Sequence, residues 1–168
     1  MSASAHPTMA VRPFLRSDVA VLGEIFRTSI EELAADDYSD AQREAWVAAA
    51  ADEEAFGTRL ASQLTLLATI NGSPVGFSSL KGSDRIDMLY VHPAAAGQGV
   101  GTMLVDALER LAAARGALRL SAEVSDSAQE FFRHRGFVPQ QRNSIRCGGE
   151  WLANTTMEKT LRAKEAAR

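Results

Sequence analysis

Three glycines, Gly97, Gly99 and Gly101, lie between an apolar segment, residues 86–92, and a helical pattern that begins at Val100. This order predicts a strand, a tight turn and the first turn of a helix. Glycine has no Cβ, so its backbone can come close to a ligand, and the first N–H groups of a helix lack intrahelical partners. The helix dipole adds positive charge at the same end. Such a turn can hold a pyrophosphate without a lysine or a metal ion.

The spacing of these glycines separates the known phosphate-binding motifs. A nucleoside-triphosphate P-loop needs Lys and then Ser or Thr directly after its last glycine, whereas Thr102 and Met103 follow Gly101. A dinucleotide fingerprint starting at Gly97 needs Gly or Ala where Thr102 stands, although Glu123 lies at the distance expected for that motif's acidic residue. Only 45 residues follow Glu123, too few to complete a doubly wound sheet. The sequence argues against both motifs.

A third motif carries a resemblance to a known family. The run Gly97-Gln98-Gly99-Val100-Gly101 is similar to the acetyl-coenzyme A loop of the GNAT superfamily of N-acetyltransferases, whose pattern is Arg/Gln-x-x-Gly-x-Gly/Ala. Gly99 and Gly101 match this pattern, and Ala96 replaces its first residue. The resemblance implies that the cofactor is bound by residues of this loop: Gly97, Gln98, Gly99, Val100, Gly101 and Thr102.

A second segment resembles the same family. Residues 118–137 predict a strand from Leu118 to Val124 and a helix from Asp126 to Arg135. They resemble the family's pattern Asn-x-x-Ala-x-x-Phe-Tyr-x-x-x-Gly-Phe, which is matched by Ala128, Phe131, Gly136 and Phe137. Ser125 replaces the Asn that contacts the pantetheine arm of the cofactor, and Phe132 replaces the Tyr that protonates the departing thiolate. The same spacing is also typical of a short core helix, and both interpretations can hold together.

The resemblance covers most of the chain and implies an α/β (α+β) fold. We expect a GNAT-like mixed, mostly antiparallel sheet of six to seven strands flanked by about four helices, in one acetyltransferase domain over 1–168 with frayed tails at 1–8 and 162–168. The local patterns predict this order: a strand at 9–14, a helix capped by Ser17 or Asp18, a helix opened by the capping box Ser39/Gln42, a hairpin at Asn71-Gly72, a strand at 85–92, a helix at 100–114, and strands near 137–146 and 150–160.

Composition agrees with one domain of enzyme size. The chain has 168 residues, of which 46% are hydrophobic and 23% are charged. No apolar run approaches the roughly 18 residues of a membrane span, and the first residues lack the features of a signal peptide, so we predict a cytoplasmic protein that does not contact membranes. The single cysteine, Cys147, excludes an internal disulfide and a thiolate metal cluster, and we expect no metal. The net charge of −3 argues against nucleic-acid binding.

The charge is distributed unevenly along the chain. Ten acidic residues and two arginines lie between Glu24 and Gly57, whereas residues 131–149 contain four arginines, one histidine and no carboxylate. Coenzyme A phosphates need positive potential, which could come from Arg133, Arg135, Arg142 or Arg146, with Arg135 as the first choice. The alternative is that these arginines are solvated surface. The acidic stretch is either a set of polar helix faces or an acceptor side that attracts a cationic amine.

The resemblance also implies where the acceptor binds and how the reaction proceeds. Tyr38 and Trp46 lie in the segment expected to hold the acceptor, where aromatic side chains suit an amine through cation–π contact; a core position is the alternative for Trp46. We expect the nitrogen of a small or peptidic amine to attack the thioester carbonyl of acetyl-coenzyme A directly. In the family, the strand before the glycine turn offers backbone groups to the cofactor, at positions that match Leu89, Tyr90 and Val91.

Three side chains are candidates for proton transfer. Asp87 and Glu123 lie on two strands expected to diverge around the thioester, so either can accept a proton from the amine. With Phe132 in the usual place of Tyr, only Tyr90 and Tyr38 remain as phenols that could protonate the thiolate, and Tyr90 is the catalytic candidate. The alternative function is a non-catalytic acyl-coenzyme A sensor, because Ala96 and Phe132 depart from the family's pattern. We expect a monomer or a homodimer.

Overall fold

The computed structural model describes residues 7–161, which form one seven-stranded sheet in the order β1-β2-β3-β4-β5-β7-β6. Its elements are β1 (Met9–Pro13), α1 (Val19–Leu33), α2 (Asp40–Val47), α3 (Glu53–Ala61), β2 (Leu64–Ile70), β3 (Ser73–Lys81), β4 (Arg85–Val91), α4 (Val100–Ala114), β5 (Arg119–Ser125), α5 (Gln129–His134), β6 (Val138–Cys147) and β7 (Glu150–Thr160). Among the strands of residues 7–161, only β4 and β5 pair in parallel. The predicted mixed, mostly antiparallel sheet is confirmed, with five α-helices where about four were expected.

Helices cover both faces of the sheet and divide the core in two. Helix α1 buries Leu22, Ile25 and Phe26 against residues of β2, β3 and β4 on one face. Helix α4 buries Leu104 and Leu108 on the other face. Each of these helices is amphipathic, and its apolar face is the one that meets the sheet.

The hairpin between β2 and β3 forms where the sequence predicts it. Asn71 and Gly72 have φ values of 52° and 84°, the left-handed conformations that a two-residue hairpin turn requires. Asn71 also accepts the Thr8 N–H at its Oδ1 (2.9 Å) and donates its own N–H to Thr8 O (2.8 Å). Thr8 is thus tied to this turn, while residues 1–6 and 162–168 of the two predicted tails lie outside the described residues.

Strands β4 and β5 pair over only two residues before they diverge. The parallel register contains Arg85 with Ser121 and Ile86 with Ala122. The next residue, Asp87, is an extra residue in β4, because Ser79 of β3 faces Met88 while its neighbour Leu80 faces Ile86. Such a bulge bends a strand and redirects its side chains. The sheet therefore opens between β4 and β5, at the point where the sequence predicts the reacting groups.

Two local details differ from the sequence prediction. Asp18 precedes α1 without capping it, because its carboxylate accepts the Leu15 N–H (2.8 Å) and pairs with Arg12 (2.9 Å). Arg12 lowers the pKa of Asp18 below its ordinary value. The helix predicted from Asp126 to Arg135 is a short 3₁₀ turn followed by the six residues of α5. Within residues 7–161, no helix has the length and apolar character needed to cross a membrane.

The N-terminus of α2 carries the predicted capping box. The Gln42 N–H donates to Ser39 Oγ (3.1 Å), and the Ser39 N–H donates to Gln42 Oε1 (2.9 Å). These bonds satisfy two backbone donors at the start of an eight-residue helix that buries none of its residues fully. The cap is therefore a main source of local order for the helix that carries Trp46.

We predict that Ser39→Ala lowers the free energy of unfolding by about 1 kcal/mol, because the side-chain acceptor of the cap is lost. Urea denaturation followed by circular dichroism measures this change. Ser73→Ala, at an exposed position where β3 begins, is the control and should change stability by less than about 0.5 kcal/mol. Equal stabilities of the two variants would show that the capping box contributes nothing.

Candidate active site

The opening between β4 and β5 forms a cleft, a cavity of about 540 Å³ bounded by α1, β4, α4, β5 and α5. Most of the predicted site residues line it. From the predicted cofactor set these are Leu89, Tyr90, Val91, Gly97, Gly99, Val100, Gly101, Thr102, Ser125, Ala128, Phe131 and Phe132, and they are joined by Asp87, Glu123 and Trp46. The two segments matched in the sequence thus lie on opposite sides of one cleft.

The free edge of β4 supplies backbone groups to the cleft. His92 N–H donates to Val75 O of the segment paired with β4 (2.8 Å), so alternate residues of β4 direct their backbone groups towards β3. Tyr90 is one of these, and its backbone belongs to the β3–β4 ladder. Leu89 and Val91 direct their N–H and C=O groups to the opening. Of the three predicted backbone contacts, the geometry therefore supports Leu89 and Val91, while Tyr90 contributes its side chain.

The glycine turn presents backbone N–H groups to the cleft. Gly97 and Gly99 have φ values of 78° and 88°, which a residue with a Cβ rarely adopts. The first intrahelical bond after Gly99 runs from Met103 N–H to Gly99 O (3.0 Å), so the N–H groups of Val100, Gly101 and Thr102 precede the helical ladder. The positive end of α4 therefore faces the cleft, an arrangement suited to an anion.

Gly101 and Phe131 show how closely the two walls approach each other. A Cβ built on Gly101 would lie 3.2 Å from Phe131 Cζ and 3.3 Å from Cε1. Phe131 packs on Phe132, whose ring stands 5.0 Å from that of Phe137 in the core. Phe132 is buried, with 4% of its surface exposed, and lines the cleft only in part. Its ring is therefore a core element as well as a wall, as the sequence allowed.

Several predicted cofactor residues lie elsewhere. Gln98 turns its side chain back so that Nε2 donates to Ala94 O (3.2 Å), and it does not line the cleft. Arg135 ends α5 and does not line the cleft either. Arg142 pairs with Asp126 (2.5 Å), and Arg146 lies over the ring of Trp151, its guanidinium carbon 5.4 Å from the ring centre. The basic segment is therefore not brought to the glycine turn by these side chains.

Both candidate bases form ion pairs. Asp87 accepts from Arg59 Nε (2.9 Å) and Gln63 Nε2 (2.8 Å), and both bonds meet at Oδ2. Glu123 accepts from Arg85 at Oε1. Each carboxylate is thus held in place through one oxygen while the other is left for a further contact. Asp87 borders the cleft alone, whereas Glu123 borders the cleft and a neighbouring cavity.

That neighbouring cavity, which we call the side cavity, has a volume of about 390 Å³ and lies between α2, β4 and the β6–β7 hairpin. It shares Trp46, Tyr90, Glu123 and Ser125 with the cleft. Phe26, Ile145 and Leu152 form an apolar part of its remaining wall, and Arg59, Arg146 and Asn154 form a polar part. Tyr38 also lines it. None of the ten acidic residues between Glu24 and Gly57 lines either cavity, and all ten are exposed. The acidic stretch consists of polar helix faces.

The Tyr38 hydroxyl links the segment between α1 and α2 to β7 and to the end of β5. Its hydroxyl donates to Ala153 O of β7 (2.6 Å) and accepts the Asp126 N–H after β5 (2.9 Å). Only 5% of its surface is exposed, and burial raises the pKa of Tyr38 above its ordinary value. Nearby, Ser127 Oγ donates to Asp37 Oδ2 (2.8 Å). The segment between α1 and α2 is thereby fixed to the end of β5, and the Tyr38 proton is committed to a backbone carbonyl.

Tyr90 differs from Tyr38 because its proton is not committed. Tyr90 Oη accepts from Trp46 Nε1 (3.2 Å), and among residues 7–161 no acceptor lies within hydrogen-bonding distance of its own hydrogen. Its half-buried ring is surrounded by Phe26, Phe77 and Trp46, and this desolvation raises the pKa of Tyr90 to about 12. Tyr90 is therefore protonated at neutral pH and lies where the two cavities meet.

Sequence reasoning missed three contributors. Arg59 of α3 and Gln63, which lies between α3 and β2, hold Asp87, and nothing in their local spacing links them to a residue more than 20 positions away. Ser29 lines the cleft from α1 and is buried, with 7% exposure. A polar residue among the apolar positions Ile25, Phe26 and Ile30 was a signal that could have found it. Within the described residues, no group of three or more His, Cys, Asp or Glu side chains is placed to hold a metal ion.

Comparison with known proteins agrees with this geometry. A family model described as "Acetyltransferase (GNAT) domain" matches residues 34–161. The uncharacterized N-acetyltransferase YafP of Escherichia coli (strain K12) is 31% identical over 147 residues, 88% of this chain and 93% of that protein. The crystal structure of a GCN5-related N-acetyltransferase from Rhodopseudomonas palustris is 58% identical, covers 96% of this chain and 99% of its own, and has a TM-score of 0.90.

A further structural neighbour was solved with a ligand. The PaiA N-acetyltransferase of Thermoplasma acidophilum, in complex with coenzyme A, is 20% identical to this chain. The match covers 91% of this chain and 99% of that one, with a TM-score of 0.75. At this identity the likeness shows the fold alone.

We predict that Tyr38→Phe lowers the free energy of unfolding by about 1–3 kcal/mol, because it leaves the Asp126 N–H and the Ala153 C=O without their partner. Urea denaturation measures this change. Tyr90→Phe removes the same atom at a position where it faces a cavity, and should lower stability by less than about 1 kcal/mol. Equal stabilities of the two variants would show that the hydrogen bonds of the Tyr38 hydroxyl add nothing to the stability of the fold.

Proposed function

Because the chain belongs to the GNAT superfamily of acetyltransferases, we propose that it transfers the acetyl group of acetyl-coenzyme A directly to a primary amine. The observation that carries this proposal is the meeting of two cavities at Tyr90 and Glu123. One lies beside a turn rich in free N–H groups, and the other combines aromatic and apolar walls with the polar side chains of Arg59, Arg146 and Asn154. Two substrates can thus approach the same point from different sides.

The cleft has the features that acetyl-coenzyme A requires. The N–H groups of Val100, Gly101 and Thr102 provide donors for the pyrophosphate at the positive end of α4. The free β4 edge at Leu89 and Val91 provides backbone partners for the amide groups of the pantetheine arm and a donor that can polarise the thioester carbonyl. The apolar wall formed by Ala128 and Phe131 suits the arm between these two regions.

The side cavity is the proposed acceptor site. Trp46 and Tyr90 form an aromatic wall that can receive an ammonium group or an apolar body next to it. Glu123 borders both cavities, so it can accept the proton of an amine that enters from the side cavity. Asp87, which borders the cleft alone, is better placed to hold the bulged strand through Arg59.

The proposed reaction combines proton transfers with the formation of a carbon–nitrogen bond and the cleavage of a carbon–sulfur bond. The ammonium form of the acceptor loses a proton to Glu123, directly or through water, and the free nitrogen forms a bond to the thioester carbonyl carbon. The carbon–sulfur bond then breaks, the nitrogen releases its second proton to water, and the coenzyme A thiolate takes the phenol proton of Tyr90. The products are an acetylated amine and coenzyme A, and the Tyr90 phenolate regains a proton from water or from Glu123. No covalent enzyme intermediate is needed.

The alternative function is a sensor that binds acyl-coenzyme A without turnover. Phe132 fills the position where the family has a Tyr, and both carboxylates beside the cleft are ion-paired. The free hydroxyl of Tyr90 favours the enzyme, because it replaces the missing acid from another strand. A cytoplasmic location, and a monomeric or homodimeric state, remain predictions.

We predict that Gly99→Ala weakens acetyl-coenzyme A binding at least about tenfold, because a Cβ at a φ of 88° displaces the N–H groups of the turn. Gly116→Ala is the matched control, since Gly116 lies at the other end of α4 with a φ of 87° and nothing within 4 Å of its Cβ position. Calorimetric titration measures both variants, with NAD and ATP as ligands expected not to bind. Equal losses in the two variants would attribute the effect to α4 stability.

We predict that Tyr90→Phe lowers kcat at least about tenfold while the affinity for acetyl-coenzyme A stays within about twofold of the unmodified protein. The phenol proton acts on the departing thiolate, whereas the ring that lines the cleft is retained. Coenzyme A release across a panel of amines measures turnover. If the unmodified protein binds acetyl-coenzyme A but releases no coenzyme A with any amine of the panel, the sensor is supported and the transferase is refuted.

The Phe132 position offers a rescue of the Tyr90 variant. Phe132→Tyr alone should not reduce turnover if its ring keeps its place against Phe137. Added to Tyr90→Phe, it should restore part of the lost kcat, because a phenol then stands where the family has one. A large loss from Phe132→Tyr alone would show that the core excludes a hydroxyl at this position.

A further inference from the structure

The contact between Trp46 and Tyr90 joins the acceptor helix α2 to strand β4. Trp46 Nε1 lies 3.2 Å from Tyr90 Oη, and the two ring centres are 6.4 Å apart at an angle of 67°. We infer that Trp46 is a positioning residue, whose indole N–H sets the direction of the Tyr90 proton so that it points to the junction of the two cavities. The inference rests on the proposed acid role of Tyr90.

The phenol of Tyr90 has little freedom of movement. The Tyr90 ring is packed edge-on to Phe26 at 4.7 Å between ring centres and against Phe77 at 5.7 Å, so the ring itself is fixed. Rotation of the hydroxyl hydrogen is the freedom that remains. When Oη accepts from Trp46, the hydrogen cannot point towards that donor and turns to the other side. Trp46 therefore limits the orientations in which Tyr90 waits for the thiolate.

Trp46 is itself held by several contacts. Its ring lies edge-on to that of Tyr38, with the centres 5.4 Å apart and an angle of 70° between planes. The hydroxyl of Tyr38 is bonded to both β7 and the residue after β5, as described above. On the same helix, Gln42 Nε2 donates to Trp151 O of β7 (2.8 Å). Helix α2 thus carries the indole at a fixed place relative to the far half of the sheet.

The hydrogen bond from Trp46 also affects the pKa of Tyr90. Burial is the largest influence and raises the pKa of Tyr90, and the charges of Asp87 and the phenol of Tyr38 act in the same direction. The Trp46 hydrogen bond lowers this pKa, as does the more distant charge of Arg59. Glu123 also borders the junction. Without the indole N–H, Tyr90 would be a weaker acid as well as a less directed one.

The two tryptophans of the chain make the hydrogen bond directly observable. Only Trp46 and Trp151 give indole N–H signals in a ¹⁵N-labelled sample, and Trp46→Phe identifies which is which. Tyr90→Phe should shift the Trp46 indole signal and speed the exchange of its hydrogen with water. The signal of Trp151, which is 55% exposed, should stay in place. An unchanged Trp46 signal would show that the bond to Tyr90 does not exist and would overturn the inference.

A double-mutant cycle tests whether Trp46 acts through Tyr90. Trp46→Phe keeps an aromatic ring but removes the donor, and should lower kcat roughly fivefold, the expected effect of one lost neutral hydrogen bond. In the Tyr90→Phe background the same change should lower kcat no further. Trp151→Phe is the matched control and should leave kcat unchanged. Circular dichroism and urea denaturation verify that each variant is folded.

Each alternative result has its own meaning. If Trp46→Phe lowers kcat equally in both backgrounds, or raises only the KM of the amine, Trp46 is a wall of the acceptor site and the positioning role is refuted. If Tyr90→Phe keeps full activity, the acid role itself is refuted, together with the inference that rests on it. A loss with Tyr90→Phe and independent effects of Trp46→Phe would refute the inference alone.

Discussion

The parallel pairing of β4 with β5 ends after two residue pairs, and the rest of the molecule is organised around this opening. A strand edge within a sheet carries unpaired N–H and C=O groups, which must find partners in a ligand or in water. The bulge at Asp87 starts the divergence, and Arg59 of α3 and Gln63 after that helix hold the bulged residue. Arg85 of β4 also pairs with Glu123 of β5, the residue just beyond the last backbone pair. Ion pairs thus fix the two sides of an opening that backbone hydrogen bonds cannot close.

The far side of the opening is stabilised by a different set of contacts. The Asp126 N–H at the end of β5 has no ladder partner and is satisfied by the Tyr38 hydroxyl, while the Asp126 carboxylate pairs with Arg142 of β6. Ser125 Oγ accepts the Ala128 N–H and so begins the 3₁₀ turn before α5. The end of β5 is thereby held without any bond to β4. This arrangement keeps a ligand-sized space open while leaving few buried polar groups unsatisfied.

Local patterns predicted most of the fold and the glycine side of the site. The Asn71-Gly72 turn, the Ser39/Gln42 capping box and the bounds of α4 follow from interactions between residues at most four positions apart. These signals are encoded in short segments, and the structure contains them as predicted. Among the matched motif residues, Gly99, Gly101, Ala128 and Phe131 line the cleft, whereas Gly136 and Phe137 do not.

Contacts between distant segments could not be predicted in the same way. Asp87 with Arg59, and Tyr38 with Ala153, join residues 28 and 115 positions apart, and no local period marks either pair. The uneven distribution of charge along the sequence suggested binding sites that the structure does not form. A net charge along the sequence does not say which faces of the helices meet the cavities, and here the acidic side chains of α1 to α3 all point to solvent. In the basic segment, Arg142 pairs with Asp126 and Arg146 stacks on Trp151, so neither contributes charge to the glycine turn.

In the proposed mechanism, Tyr90 is the acid and the position of the family's Tyr is held by Phe132. The environments of the two rings explain this difference. Phe132 is packed edge-on to Phe131 and Phe137, so its ring belongs to the apolar core as well as to the cleft wall. Tyr90 is also surrounded by aromatic rings, but its oxygen reaches an indole N–H at the boundary of two cavities. A phenol can therefore be carried on β4 without an orphaned buried hydroxyl. The same burial that raises its pKa keeps it in the proton-donating form, so a single aromatic environment supplies both the fixed ring and the available proton.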